Sequence, residues 1–286
     1  VLNEMKGAYS SVDESIISTL NHMLFKDNCY QYESGGNPEN ITDLSYEQFI
    51  ATHKKFYHPS NARIWLDGTM NIDEVLKFMD EEYLNNYTRA EFDFTIPMQK
   101  PVESETVRFA YEASEEEGTE HRTHVAYAKI VSRFDDMKKN LAWQVLSSIL
   151  VANNESPLKK AVLENNLGED VELELFDGIQ QPWAVLVVRN TDEAKIDQVK
   201  ETVLSTVKEL VEKGLNHDQI SATLNQMEFR YREKHEPAGL MYGQRAMEAW
   251  LYDGDPAQNL SIGYLFDELR SAVNDGYYEN LLKEFL

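Results

Sequence analysis

The sequence predicts an α+β fold, with helices packed on a mostly antiparallel sheet. Two observations predict it. Segments of helical period are mixed with short runs of period two, and those runs meet in hairpins rather than in strict βαβ order. The composition is that of a globular protein: of 286 residues, 42% are hydrophobic and 27% charged. The length suits one large domain or two of ordinary size.

The first half runs to about residue 94. Residues 3–24, with Met5, Ile16, Leu20 and Met23 apolar, read as a helix. "DNCYQYESGGNPENITDL" is rich in Gly, Asn and Asp and reads as a loop. "LSYEQFIATHKKFY" is a helix: Ser45 is a plausible N-cap, Gln48 completes a capping box, and Leu44 and Phe49 stand where a hydrophobic staple would. "HPSN" is a turn. "ARIWLDG" puts Ala62, Ile64 and Leu66 on one side and Arg63, Trp65 and Asp67 on the other, as a half-buried strand does. "NIDEVLKFMDEEYLNNY" is an amphipathic helix with Ile72, Val75, Leu76, Met79 and Tyr83 on one stripe. The polar stretch that follows carries Pro97 and Pro101 and lacks helical period, so residues 95–106 are expected to link two domains.

The second half, 107–286, opens with a strand in "HRTHVAYAKIV". "DDMKKNLAWQVLSSILVAN" is a helix, and "SPLKKAVLENN" a short one with Pro157 in its first turn and Gly168 as its expected stop. "DVELELFDG" and "PWAVLVVRN" are strands of a hairpin. A long helix buries Ile196, Val199, Val203, Val207 and Leu210 and ends at Gly214. Another stops before Pro237, and a third ends at Asp253–Gly254, with Pro256 expected to start the next. The tail is helical with a break at Asp275–Gly276.

Fifty acidic residues against 27 basic ones give a net charge of -23. Such a surface repels nucleic acid and anionic membrane. It would attract cationic peptides, although solubility alone explains the excess. Cys29 is the only cysteine, so no intramolecular disulfide forms, which suits a reducing compartment. No apolar run reaches membrane-spanning length.

No complete catalytic apparatus is visible. The histidines are His22, His53, His58, His121, His124, His217 and His235, and neither H-x-x-E-H nor H-E-x-x-H occurs. In "HRTH" the two rings are three apart; on a strand they would face opposite ways, so a structural or surface role is the simpler reading. His53 and His58 sit at a helix end, where imidazoles complement the dipole. Cys29 lies in a polar loop without an evident base. There is no G-x-S-x-G, Gly-rich phosphate loop or C-x-x-C, and basic residues are scattered.

The opening "VLNEMKG", followed by "SGGNP" and "HPSNAR" in that order, resembles the zinc metallopeptidases of the pitrilysin/insulinase clan, most closely the presequence-protease (organellar oligopeptidase) branch and its bacterial relatives. "NNESPLKKAVLENNLG" and "VKELVEKGLNHDQISATLNQMEFRYRE" resemble the next homologous domain of those proteins. The resemblance implies two tandem pitrilysin-type domains. Residues 1–94 would be the C-terminal part of the first, catalytic domain, truncated at its N-terminus, and 107–286 a degenerate second domain.

It also implies roles. The clan carries H-x-x-E-H on one helix and a distal glutamate ligand in a segment reading "NE"; by motif match that residue is Glu4, a zinc ligand, and without the match Glu4 would be a solvated helix carboxylate. The H-x-x-E-H pair is absent here, so the chain reads as an internal fragment, inactive alone, of a metalloendopeptidase that cleaves short unstructured peptides in a closed chamber. Its partners would be those peptides, cationic ones among them, together with the H-x-x-E-H segment and the C-terminal half of the same protein, with no nucleic acid and no membrane. A non-catalytic peptide-binding or assembly subunit of the same clan is the alternative, and an unrelated scaffold a third. The bacterial cytoplasm is the favoured location, an organellar matrix the other.

Overall fold

The computed structural model describes residues 1–111, 118, 120–233 and 237–285. His235 lies outside them.

Strands β1 (Thr123–Ile130), β2 (Asp170–Phe176) and β3 (Trp183–Thr191) form an antiparallel sheet of order β1-β3-β2. The hairpin expected from the sequence is β2–β3, in register from Asp170↔Arg189 to Phe176↔Trp183, with Gly178 in the turn at φ 73°. β3 is the central strand. Its near-continuous apolar run serves both faces of the sheet. Ala184, Leu186 and Val188 point into the main core; Trp183, Val185 and Val187 point the other way.

The main core is built by α5 (Met137–Val151), α6 (Pro157–Glu164), α7 (Ile196–Lys213), α8 (His217–Arg232), α10 (Gly263–Ala272) and α11 (Tyr277–Phe285). The apolar stripes of two of these helices are buried, Leu141, Val145 and Ile149 on α5 and Val199, Val203 and Val207 on α7, whereas the stripe expected at Ile72, Leu76 and Tyr83 is exposed. Gly214 ends α7 at φ 84° and Gly276 breaks the tail at φ 68°, both left-handed positions that favour glycine. α9 (Ala238–Trp250) lies outside this layer.

The opposite sheet face is covered by α2 (Val12–Leu24), through Ile16, Leu20, Leu24 and the fully buried Phe25. The helix expected over 3–24 is therefore two: α1 (Leu2–Ala8) and α2, parted at Tyr9–Ser11. Residues 96–99 are fastened to the loop after α2 and to the β2–β3 turn. Asp27 N donates to Gln99 Oε1 (2.7 Å), Gln99 N to Gln181 Oε1 (2.6 Å) and Gln180 Nε2 to the Ile96 carbonyl (3.0 Å).

α3 (Tyr46–Phe56) begins with both halves of the Ser45–Gln48 capping box, and α4 (Ile72–Glu82) is capped by Asn71. Neither helix buries a residue. Residues 62–67 are extended but are no strand: among the described residues no neighbour supplies the ladder hydrogen bonds a strand requires. One side of the segment instead seats on α9. Trp65 Nε1 donates to the Gly239 carbonyl (3.1 Å), and a Cβ on Gly243 would come 2.8 Å from the Trp65 ring.

Three further expectations are corrected. The left-handed stop after α6 is Asn166, at φ 52°, not Gly168; Gly168 is needed because a Cβ there would meet the Arg189 carbonyl at 2.8 Å. No helix starts at Pro256; the chain turns through a 3₁₀ segment, Gln258–Leu260, and α10 begins at Gly263. His58 does not complement the end of α3. Its Nδ1 accepts from Ser60 N (3.1 Å) and so caps the 3₁₀ turn Pro59–Asn61.

Candidate functional site: a cleft beside the edge strand

β2 is an edge strand, bonded to β3 on one side only. Along it runs a cleft of about 480 Å³ between α2 and the sheet. Register decides what faces it. Glu172 lies opposite Val187 and Glu174 opposite Val185, on the face that α2 covers. The alternation "DVELELF" therefore sends Val171, Leu173 and Leu175 into the main core and Asp170, Glu172, Glu174 and Phe176 toward the cleft. Ile16 and Ile17 of α2 form the apolar wall, Val185 and Val187 the floor.

The rim is acidic. Asp13, Asp170, Glu172 and Glu174 face only Lys159 and Arg189. Lys159 Nζ is 2.6 Å from Asp170 Oδ1. Arg189 Nη2 is 2.7 Å from Glu172 Oε2, and the same guanidinium also pairs with Asp13 of α2. Glu174 is exposed and pairs with no cation among the described residues. An apolar floor, an edge strand with no second strand partner and a surplus of carboxylates suit an extended peptide with basic side chains, although the Leu173 carbonyl already accepts from Ser147 Oγ and Val171 N donates to Asp170 Oδ1. Charges along an edge also keep the sheets of separate molecules from pairing.

The sequence-predicted ligand, Glu4, stands apart. It lies in the first turn of α1, with its side chain 83% exposed and a loose pair to the terminal amine of Val1 at 3.8 Å. A catalytic zinc takes three protein ligands and a water. Among the described residues no group of three His, Cys, Asp or Glu could hold a metal. A zinc bound by Glu4 would need its other protein ligands from outside these residues.

The other titratable candidates have local roles. His22 Nδ1 is 3.4 Å from the Gln31 carbonyl, His53 stacks on Tyr57, and His121 Nδ1 is 3.1 Å from Asp192 Oδ1. Cys29 is exposed in a 3₁₀ turn. Sequence reasoning missed Asp13, Glu172, Glu174 and Arg189. The acidic alternation in β2 was a visible signal; the edge position and the Arg189–Asp13 pair were not.

The architecture is a short antiparallel sheet with a helical layer on one face and α2 on the other. The chain belongs to the peptidase M16 inactive-domain family, whose sequence model matches residues 43–227. It is 36% identical to Protein HypA of Clostridium perfringens, an alignment covering 100% of this chain and 30% of that protein. It is 32% identical to presequence protease 1, chloroplastic/mitochondrial, of Arabidopsis thaliana, covering 96% of this chain and 26% of that one. The chain thus spans under a third of these two curated relatives. The structure of a peptidase M16 inactive domain from Pseudomonas fluorescens shares the fold at a TM-score of 0.70, with 15% identity, covering 100% of this chain and 66% of that one. No helix of the described residues is long and apolar enough to cross a membrane.

Proposed function

We propose that this chain is part of a zinc-dependent metalloendopeptidase that degrades unstructured peptides in a closed chamber, and that it is inactive alone. It holds extended basic peptides along β2 and supplies Glu4 as one of three zinc ligands. The observation that carries the peptide reading is the cleft itself: an unpaired strand edge, an apolar floor and an acidic rim in one place. The Glu4 assignment rests on the resemblance of the "NEMKG" stretch. The paired histidines would come from an H-x-x-E-H segment elsewhere in the same protein. The domain plan of 1–94, linker 95–106 and 107–286 goes with this reading, as does a bacterial cytoplasmic setting.

Bare apolar surface on the first third supports a partner piece. Tyr46, Phe49, Tyr57, Ile72, Leu76 and Phe78 are 49–74% exposed. Large exposed apolar side chains in such number suit an interface. The remainder of the polypeptide is the occupant that the family relationship suggests.

Two measurements test this. A labelled, unstructured peptide with basic residues at alternate positions should bind the chain, weaken with salt, and lose about fivefold on Glu174→Lys, the effect of roughly 1 kcal/mol for one charge pair. The same peptide N-methylated at alternate backbone positions should not bind; equal binding would refute strand addition. In the whole protein, Glu4→Ala should weaken zinc by about 100-fold or more, since losses of even outer-shell partners reach that range. Unchanged zinc content in that variant would favour the other reading, a peptide-binding or assembly subunit.

A further inference from the structure

One end of the cleft is closed by charge. Arg189 on β3 binds Glu172 of the edge strand and Asp13 of α2 at once, so a single guanidinium ties the helix down over the edge. Beside it the sheet is irregular. Thr123 pairs with Thr191 but Val125 with Val188, so β3 has an extra residue there, and Asn190 takes φ 55°. Such a bulge re-aims neighbouring side chains. Ala126, Ala128 and Ile130 of β1 face α2, and His124 shares their parity, as Arg189 shares that of Val185 and Val187. The ring and the guanidinium thus meet on the α2 side of the bulge.

The hydrogen bonds around His124 define its neutral form. The Tyr111 hydroxyl donates to the Arg122 carbonyl and lies 3.2 Å from His124 Nε2. With that proton committed, Nε2–H donates to the Tyr111 oxygen, and Nδ1 is the unprotonated nitrogen. Nδ1 is buried and has no hydrogen-bond partner among the described residues. A proton added there would therefore gain no acceptor. The charges that face the ring are Arg189 from β3, Asp13 from α2, Glu172 from β2 and the adjacent Arg122. Asp13 and Glu172 are already engaged by Arg189.

We propose that His124 and Arg189 form a pH-operated latch on α2. With the imidazole neutral, Arg189 holds Asp13 and the first turns of α2 against the edge of β2. With the imidazole protonated, a further cation stands among Arg189, Arg122 and their two carboxylates, the Asp13 tie loosens, and this end of the cleft opens. The latch does not depend on what the cleft binds.

Burial first, then Arg189 and Arg122, lower the imidazole pKa from its ordinary 6.5, with Asp13 and Glu172 opposing in part. A basic group with a depressed folded pKa binds fewer protons folded than unfolded. Its contribution is complete above the ordinary value and is lost as pH falls below it.

Amide hydrogen exchange on the full chain tests the latch, at about pH 7.5 and about pH 5.5, either side of the ordinary imidazole pKa. After correction for the intrinsic chemical rate, amides in 12–24 should exchange several-fold faster at the lower pH, while those of α5 hold. His124→Gln should remove that rise. Arg189→Gln should give the fast rate in α2 at both values. A rise that persists in full in His124→Gln, or a wild-type α2 indifferent to pH, overturns the proposal. Should either variant fold poorly, an NMR titration of the unaltered chain decides: the His124 ring and the α2 amides must share one midpoint, and separate midpoints overturn it.

Discussion

Phe25→Ala should detach α2 from the sheet while leaving the main core standing. Phe25 is fully buried and makes an edge-to-face contact with Tyr30 at 5.4 Å. Truncating a buried phenylalanine costs about 3–5 kcal/mol. Here the lower end applies, because α2 lies at the margin of the fold and the site can collapse. The loss falls locally: α2 contacts the face formed by Trp183, Val185 and Val187, whereas the larger helical layer packs on the other face. A loss of about 3 kcal/mol speeds opening-limited exchange roughly 100-fold. Amide exchange read by mass spectrometry should therefore show that change in 12–24, with a much smaller one in α5 and β3. If the acceleration is equal across α2, α5 and β3, the two faces do not unfold separately and the reasoning fails.

Gly168→Ala puts a Cβ 2.8 Å from the Arg189 carbonyl and 2.8 Å from Val188 Cγ1; it should cost about 1–3 kcal/mol in denaturant midpoints, the range for overpacked sites. Ser45→Ala removes the bond that Gln48 N donates to Ser45 Oγ, leaving only the backbone bond to Gln48 Oε1, and with no buried residue on α3 to compensate, local protection there should fall by about 1 kcal/mol. Tyr277 is pushed up to about 12 by burial, then by Asp136 and Glu284. Its folded state favours the neutral phenol, so that contribution to stability is complete below the ordinary value of 10.0 and disappears as pH rises through about 12. Ultraviolet titration of the folded chain should show a late-ionising tyrosine that Tyr277→Phe removes.

Elements whose signals are local were legible in the sequence. The capping box at Ser45, the glycine stops at 214 and 276, the β2–β3 hairpin and the stripes of α5 and α7 each depend on neighbours a few residues away, and each is found. What failed depends on partners distant in sequence. The alternation at 62–67 separated the two sides of an extended segment, but the apolar side, Ile64 and Leu66, is the exposed one, and Trp65 and Asp67 meet α9. It could not supply a neighbouring strand, and pairing is a property of two segments. Gly168 looked like a helix stop because glycines often are; its actual constraint is the approach of Arg189 and Val188 from β3. For the candidate site, the row of carboxylates on β2 was readable from "DVELELF". That this strand lies at an edge follows from the order β1-β3-β2, and the Arg189–Asp13 pair joins β3 to a helix distant in sequence. The expectation for Glu4 rests on resemblance alone.

The order of the sheet also sets the sequence in which it can assemble. β2 and β3 are joined by a short turn, so their pairing closes a small loop at small entropic cost. β1 lies on the far side of β3, separated in the chain by α5 and α6. It can dock only after those helices have been laid down, or while they are still loose. Long-range closure is the slow step in such topologies. The nascent hairpin must therefore wait with the far edge of β3, the most apolar strand of the molecule, unpaired. In that interval the chain is most open to capture by a foreign strand, and faster closure of the α5–α6 crossover should raise the yield of folded protein more than any further strengthening of the hairpin.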